Sequence, residues 1–327
     1  DADADHTKQP YLRYSFKSDA TSVKTAKDTG VDSHFMTTVP DDAYDDNPAA
    51  TSTETVDVTK IVASAKCEDM KFWSPDSPNL YDVYTVIKDN EGNVLDVQKT
   101  TTGFRKVEYD INDGGLKIND QPVWLTGYAQ RSTNEWAVIG VANDWLQDLD
   151  MQWIKESNSN FIRWMHVAPK PSQIRSGDKY GVVSACPAGD KEADVDGRAW
   201  DQRVEAMRDA MIYFRNSPSV IFWEAGNNAV TAAHQQEMTD LKNTLDPNGE
   251  RFCGCRTISS TDQIQAADYV GTMLNRHASN AKASMAAIKK YVPIMETEYA
   301  REEAPRRVWD DFSPPDYDYR NKWLGAG

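Results

Sequence analysis

Apolar and polar residues alternate singly along "YDVYTVIKD" and "NVLDVQKTTTGF", the period of a half-buried strand. "YLRYSF" and "ETVDVTKIVAS" carry the same alternation earlier in the chain, with Asn, Asp and Gly at the breaks. "KDNEGNV" between two of the runs reads as a hairpin turn. The pattern predicts a small antiparallel sandwich over residues 1–110, its amino-terminal part irregular or incomplete, with an acidic, Pro-containing solvated loop at 38–55.

After "GGLKINDQPVWLTGY" the period changes. Short apolar runs now alternate with longer stretches of helical spacing, which predicts βα units over residues 111–327. The strands read, in order, as Val123–Gly127, "NFIRWMH", "YGVVSAC", "SVIFWEAGNN", "RFCGCRT", "DYVGTML" and "VPIMETEYA". Helices are predicted in "ANDWLQDLDMQWIKESN", "WDQRVEAMRDAMIYFRNSP", "AHQQEMTDLKNTL" and "ASMAAIKKY". Seven such strands point to a (β/α)₈ barrel rather than an open sheet. The last 27 residues contain no clear eighth strand, so the chain reads either as cut before it or as closing on an irregular one.

Composition narrows the function. A net charge of −15 argues against nucleic acid or an anionic membrane as partner. No apolar run reaches ~18 residues, so no membrane-spanning helix is predicted. Ten Trp and 14 Tyr supply faces that stack on sugar rings as readily as they fill cores. Of Cys67, Cys186, Cys253 and Cys255, the last pair lies two apart on a predicted strand and fits no common zinc spacing. They read as buried free thiols, and neither a metal nor a cofactor is expected. "DADADHTKQP" is no signal peptide, and the missing initiator Met suggests a processed or trimmed chain. The compartment stays open, with a periplasmic or secreted location favoured over the cytoplasm, and homo-oligomerisation is left open.

Barrel chemistry sits at the carboxyl ends of the strands. Those ends offer Arg131 and Glu135, then Arg163 and His166, then Asn227 and Asn228, and finally Glu296 and Glu298. A carboxylate facing an Arg–His pair suits glycoside hydrolysis, which needs a nucleophile and a proton donor, ~5–5.5 Å apart in retaining enzymes.

Four segments carry a resemblance to a known family. "FWSPDSPNLYDVYTVI" with "TTGFRKVEYD" and "LKINDQPVWLTGY" is similar to the junction of immunoglobulin-like domain and barrel in glycoside hydrolase family 2, the β-galactosidase, β-glucuronidase and β-mannosidase group. "NFIRWMHVAP" resembles its Arg-x-x-His segment, "SVIFWEAGNN" its strand-four motif ending Gly-Asn-Glu, and "VPIMETEYA" its strand-seven motif ending Thr-Glu-Tyr-Gly. The resemblance implies an immunoglobulin-like β-sandwich followed by a TIM barrel. It also implies a retaining β-glycosidase, β-galactosidase-like and similar to those acting on agar or porphyran oligosaccharides. Carried over by position, Glu298 is the nucleophile, Asn227 binds the sugar 2-hydroxyl, and Arg163 holds the nucleophile ionised. His166 lines the sugar subsite, and Trp164 and Arg131 are assigned to substrate contact. The alternatives are a plain salt bridge for Arg163 and a packing histidine for His166. The family's strand-six tyrosine is missing, which leaves Asn275 or His277 to fill that space.

Asn228 is the departure, because it stands at the acid/base position and an amide cannot protonate a leaving oxygen. General acid assistance is worth ~10²–10⁴-fold. Glu135 ranks first and Glu224 second as substitute acids, each with a structural ion pair as the favoured alternative. Glu224 reads mainly as a buried interior group: at ~3.3 Å per residue its Cα lies roughly 13 Å deeper than that of Asn228. The competing function is a carbohydrate-binding homologue that has lost catalysis.

Overall fold

The structure is a computed structural model that describes residues 69–110, 112–113, 115–131, 143–189, 193–256, 260–272 and 293–298, with two further backbone strands, 23–25 and 55–57. The chain forms two compact units, Asp1–Met70 and Lys71–Gly327. In the first, β1 (Val23–Thr25) pairs antiparallel with β2 (Thr55–Asp57). "YLRYSF", Cys67 and the "ASMAAIKKY" helix lie outside the described residues, as does the 38–55 loop apart from Thr55.

The second unit opens with antiparallel pieces. β3 (Trp73–Ser74) pairs with β4 (Ser77–Pro78), and β5 (Tyr81–Lys88) pairs with β6 (Val94–Thr102). The β5–β6 turn is the expected one: Gly92 takes φ 88° and the Asp89 carboxylate accepts from the Asn93 backbone N–H at 2.8 Å. β7 (Val107–Asp110), β8 (Gly115–Ile118) and β9 (Gln121–Pro122) form a three-stranded sheet.

Seven parallel strands follow in sequence order: β10 (Gly127–Arg131), β11 (Phe161–Met165), β12 (Val183–Pro187), β13 (Val220–Glu224), β14 (Phe252–Cys255), β15 (Tyr269–Thr272) and β16 (Ile294–Glu296). Five described helices link them: α1 (Asp144–Glu156), α2 (Pro171–Tyr180), α3 (Arg198–Phe214), α4 (Ala232–Leu245) and α5 (Thr261–Ala266).

Strand alternation sends side chains into two apolar layers, as expected of a parallel sheet covered on both faces. Ile162, Trp164, Cys186, Val220, Trp223, Cys253 and Cys255 pack with Met151, Ile174, Met207 and Met238 of the helices. Phe161, Val183, Ala185, Phe222 and Tyr269 form the inner layer, where Trp73, Val107 and Ile118 from the preceding β elements join them. Arg105 ties those elements to the barrel by donating to the carbonyls of Pro218 (2.7 Å), Gly249 (3.1 Å) and Val220 (3.0 Å). Cys186 and Cys253 are buried free thiols, Cys255 is buried beside them in the helix-facing layer, and burial pushes the Cys253 thiol up to about 12.

Two expectations need correcting. The first barrel strand is Gly127–Arg131, not Val123–Gly127. Val123 still bonds back to Leu116 O, and the parallel strand starts where Gly127 lets the backbone close on Phe161. A Cβ at Gly127 would lie 1.7 Å from Phe161 O. Helix α2 was also not foreseen, because Ser176, Gly177 and Asp178 fill its buried face where a periodic apolar stripe would be read. Its ends are nevertheless well marked, by Pro171 at the start and by Gly181 in the left-handed region at the C-cap.

Candidate active site

Arg163 sits on β11 between the helix-facing Ile162 and Trp164, so it projects to the barrel interior. Its guanidinium grips Glu224, the last residue of β13, through Nε (2.8 Å to Oε2) and Nη2 (2.5 Å to Oε1). Ala185 on the intervening β12 is in register with Arg163, and its small side chain leaves room for the pair. Burial opposes the Arg163 charge, but the Glu224 carboxylate outweighs it and Glu298 adds to the effect, so the guanidinium is held above its ordinary pKa.

Beyond Glu224 the chain leaves the strand direction. Ala225 N–H donates to Gly254 O (2.8 Å), and Gly226 O accepts from Arg256 N–H (3.1 Å). Cys255 Sγ lies 2.9 Å from the carbonyl oxygens of both Gly226 and Asn228, which share its one S–H. These bonds fasten residues 225–228 to the end of β14. The consequence differs from the simple strand geometry, because Glu224 and Asn227 end up on the same guanidinium: Arg163 Nη2 also donates to Asn227 Oδ1 at 2.9 Å.

A second guanidinium gathers the remaining groups. Arg256, the residue after β14, donates through Nε to Asn227 Oδ1 (2.9 Å) and through Nη2 to Asn228 Oδ1 (3.0 Å). Its Nη1 lies 3.3 Å from Glu298 Oε2, whereas Arg163 Nη1 is 3.8 Å from Glu298 Oε1. Glu298 follows β16 and is positioned through Thr297, whose N–H donates to Thr272 O (3.2 Å). Its side chain keeps 24% exposure, against 1% for Arg163 and Glu224. That difference singles out Glu298 as the carboxylate open to a ligand.

The structure thus brings together Glu298, Asn227, Asn228, Arg163 and Glu224. His166 is buried just past β11, after a cis Met165–His166 peptide. Arg131 closes β10, level with Met165. Glu296 accepts from Thr272 Oγ1 at 2.8 Å. Trp164 does not join the site: it is fully buried on the helix side, its Nε1 donating to Ser184 Oγ (3.3 Å), because strand alternation turns it away from Arg163. Glu135, Asn275 and His277 lie outside the described residues. Arg256 was missed from sequence, although its place at the carboxyl end of a barrel strand was the available signal. Among the described residues no cluster of three or more His, Cys, Asp or Glu could hold a metal.

A parallel sheet of barrel type thus gathers a carboxylate and two amides on arginines at its carboxyl ends, the face where barrel chemistry sits. Residues 109–307 match the TIM barrel domain of glycosyl hydrolases family 2, and residues 7–105 match a second model described as glycosyl hydrolases family 2. The chain belongs to that family, with an immunoglobulin-like sandwich domain followed by a TIM-barrel domain.

A β-glucuronidase of Formosa agariphila is 35% identical over 265 residues, covering 80% of this chain and 26% of that protein. A β-galactosidase of Photobacterium profundum is 28% identical over 188 residues, covering 54% of this chain and 18% of that protein. A solved β-glucuronidase from glycoside hydrolase family 2 aligns at a TM-score of 0.63 and 33% identity, over 77% of this chain and 26% of its own. The chain therefore spans about a quarter or less of the length of these relatives.

Proposed function

We propose that this chain carries the sugar-cleaving site of a retaining β-glycosidase with Glu298 as nucleophile. The observation that supports this most is the convergence of Glu298, Asn227 and Asn228 on Arg256, with Arg163 behind them. In this reading a Glu298 oxygen attacks the anomeric carbon, the glycosidic C–O bond breaks, and the electron pair leaves on the aglycone oxygen. Water then attacks the same carbon, frees the Glu298 carboxylate and loses a proton to solvent. The two guanidiniums orient the carboxylate before reaction. Asn227 Oδ1 is taken by both arginines, so its Nδ2 is the group left to donate to the sugar 2-hydroxyl.

Asn228 presents an amide to the leaving oxygen and cannot protonate it, so turnover depends strongly on leaving-group acidity unless a second carboxyl group supplies the proton. Glu224 has both oxygens occupied by Arg163 and acts here as a positioning group, which leaves Glu135, the first-ranked candidate, as the substitute acid. The sequence reading favoured a β-galactosyl substrate. The relative named β-glucuronidase spans more of this chain at higher identity, which favours a β-glucuronide instead. A second reading, a carbohydrate-binding homologue without catalysis, is favoured by the amide at position 228.

The test is to incubate the full chain with 2-deoxy-2-fluoro-β-glycosyl fluorides of glucuronic acid and of galactose. The expected result is one added glycosyl mass on the peptide containing Glu298, with the reacting sugar deciding between the two substrates. Sugar binding with neither label nor turnover of an activated aryl glycoside would establish the binding-only reading.

A further inference from the structure

We propose that Arg256 is the positioning residue that sets this site to work with an amide at position 228, so that Arg256 and Asn228 function as a linked pair. The inference rests on the glycosidase reading and extends it. One guanidinium holds Asn227 Oδ1 at 2.9 Å, Asn228 Oδ1 at 3.0 Å and Glu298 Oε2 at 3.3 Å. It is 7% exposed, so water screens these interactions weakly. Its backbone is fixed as firmly as its side chain: Arg256 N–H bonds to Gly226 O, and a Cβ on neighbouring Gly271 would lie 2.7 Å from Arg256 Cα. The arginine cannot drift away from residue 228 without moving β14.

This placement decides what residue 228 can do. A proton donor must keep its proton until the leaving oxygen takes it. Two carboxylates that face each other achieve this, since like charge disfavours the second ionisation. A carboxyl group hydrogen-bonded to a buried guanidinium is in the opposite situation: the cation favours its charged form and the proton is lost. With Arg256 in place, a carboxyl at position 228 becomes a second counter-ion and not an acid. An amide is the side chain that accepts from Arg256 through oxygen and still offers N–H groups to the substrate. Among the described residues Arg256 also supplies the cation nearest to Glu298, at 3.3 Å, whereas Arg163 reaches it only from 3.8 Å while bound to Glu224.

The experiment is a two-by-two comparison in the full chain of wild type, Asn228→Glu, Arg256→Gln and the double variant. Each is assayed on an aryl β-glycoside with a good leaving group and on an alkyl β-glycoside with a poor one. The expected result is that Asn228→Glu alone lowers kcat on the alkyl glycoside, because the amide donor to the substrate is lost and no acid is gained, whereas the double variant exceeds Arg256→Gln at least about tenfold, within the range of general acid assistance. On the aryl glycoside Arg256→Gln lowers kcat more than it raises KM, and Arg256→Lys restores part of kcat. A tenfold gain from Asn228→Glu alone, or equal effects of Asn228→Glu in both backgrounds, would overturn the proposal.

The same four proteins are compared by urea unfolding, which needs no turnover. Asn228→Glu is expected to be tolerated beside Arg256 but to lower the folding constant at least about tenfold in the Arg256→Gln background, where three carboxylates share one guanidinium. Additive effects within a factor of about two reject the pairing outright. Coupling without any glycosidase activity in the wild type keeps the pairing and rejects the enzymatic reading instead.

Discussion

Arg163 and Glu224 form a two-pronged ion pair, with Nε at 2.8 Å and Nη2 at 2.5 Å from the two carboxylate oxygens and both side chains 1% exposed. Removing one partner of such a pair strands the other charge without water. Glu224→Ala is therefore expected to cost about 3–5 kcal/mol in unfolding free energy. Glu224→Gln should cost less, because the amide oxygen still accepts from Arg163. Urea denaturation of the two variants checks the order. A cost below about 1 kcal/mol for the alanine variant would mean that the pair is not sealed from solvent.

Glu298 is a partly open carboxylate beside two cations, and in the proposed role of nucleophile it cannot be replaced by a neutral side chain. Glu298→Ala should lose turnover of an activated aryl glycoside by at least about 10⁴-fold. Added azide fits the space left by the carboxylate and attacks the anomeric carbon directly. One displacement then replaces two, so the glycosyl azide should carry inverted configuration. Proton NMR of the product reads the anomeric coupling. A retained product, or no effect of azide, counts against Glu298.

Much of this arrangement is legible in the sequence. Short apolar runs locate six of the seven parallel strands, because most of their side chains are apolar and packed in the two layers. The first strand was misplaced because Val123 and Leu125 are apolar for another reason, packing on the inner layer from a connecting segment. The site residues were found because they cluster at strand ends. Their pairing was not, since it depends on a turn: once the chain bends after Glu224, residues separated by a strand's length in extended geometry share one arginine. Arg256 is hard to read from "RFCGCRT" because the apolar signal of that run comes from the cysteines, which face the helices, while the arginine faces the site.

Gly254 permits the inner wall to close. A Cβ there would lie 2.5 Å from Tyr269 O and 2.6 Å from the Tyr269 ring. Rotating the ring relieves only one of these contacts, because the other is to backbone of the hydrogen-bonded β14–β15 pair. Gly254→Ala is expected to destabilise the protein by about 1–3 kcal/mol. Activity should fall as well, since β14 carries Arg256 into the site. Thermal unfolding with a parallel assay checks both. Full activity at lowered stability would show that the strain is absorbed away from Arg256.

Asp178 gives the stability a pH signature of its own. It is 6% exposed on α2, where its Oδ1 accepts from Ser219 N–H at 3.0 Å. Burial raises its pKa to about 6 from the ordinary 3.8, and hydrogen bonds from Ser219 only partly offset the rise. The folded state therefore binds this proton more tightly than the unfolded chain does. The resulting stabilisation is complete below pH 3.8 and is lost as pH rises through about 6. A shift of this size corresponds to about 3 kcal/mol between the two limits. Asp178→Asn removes the titration and keeps a carbonyl acceptor for Ser219. The variant should gain on the wild type as pH is raised from 4 to 7, with most of the change between pH 4 and 6. Urea unfolding at unit pH steps measures that difference, and a constant offset across the range would mean that Asp178 is solvated in the folded protein.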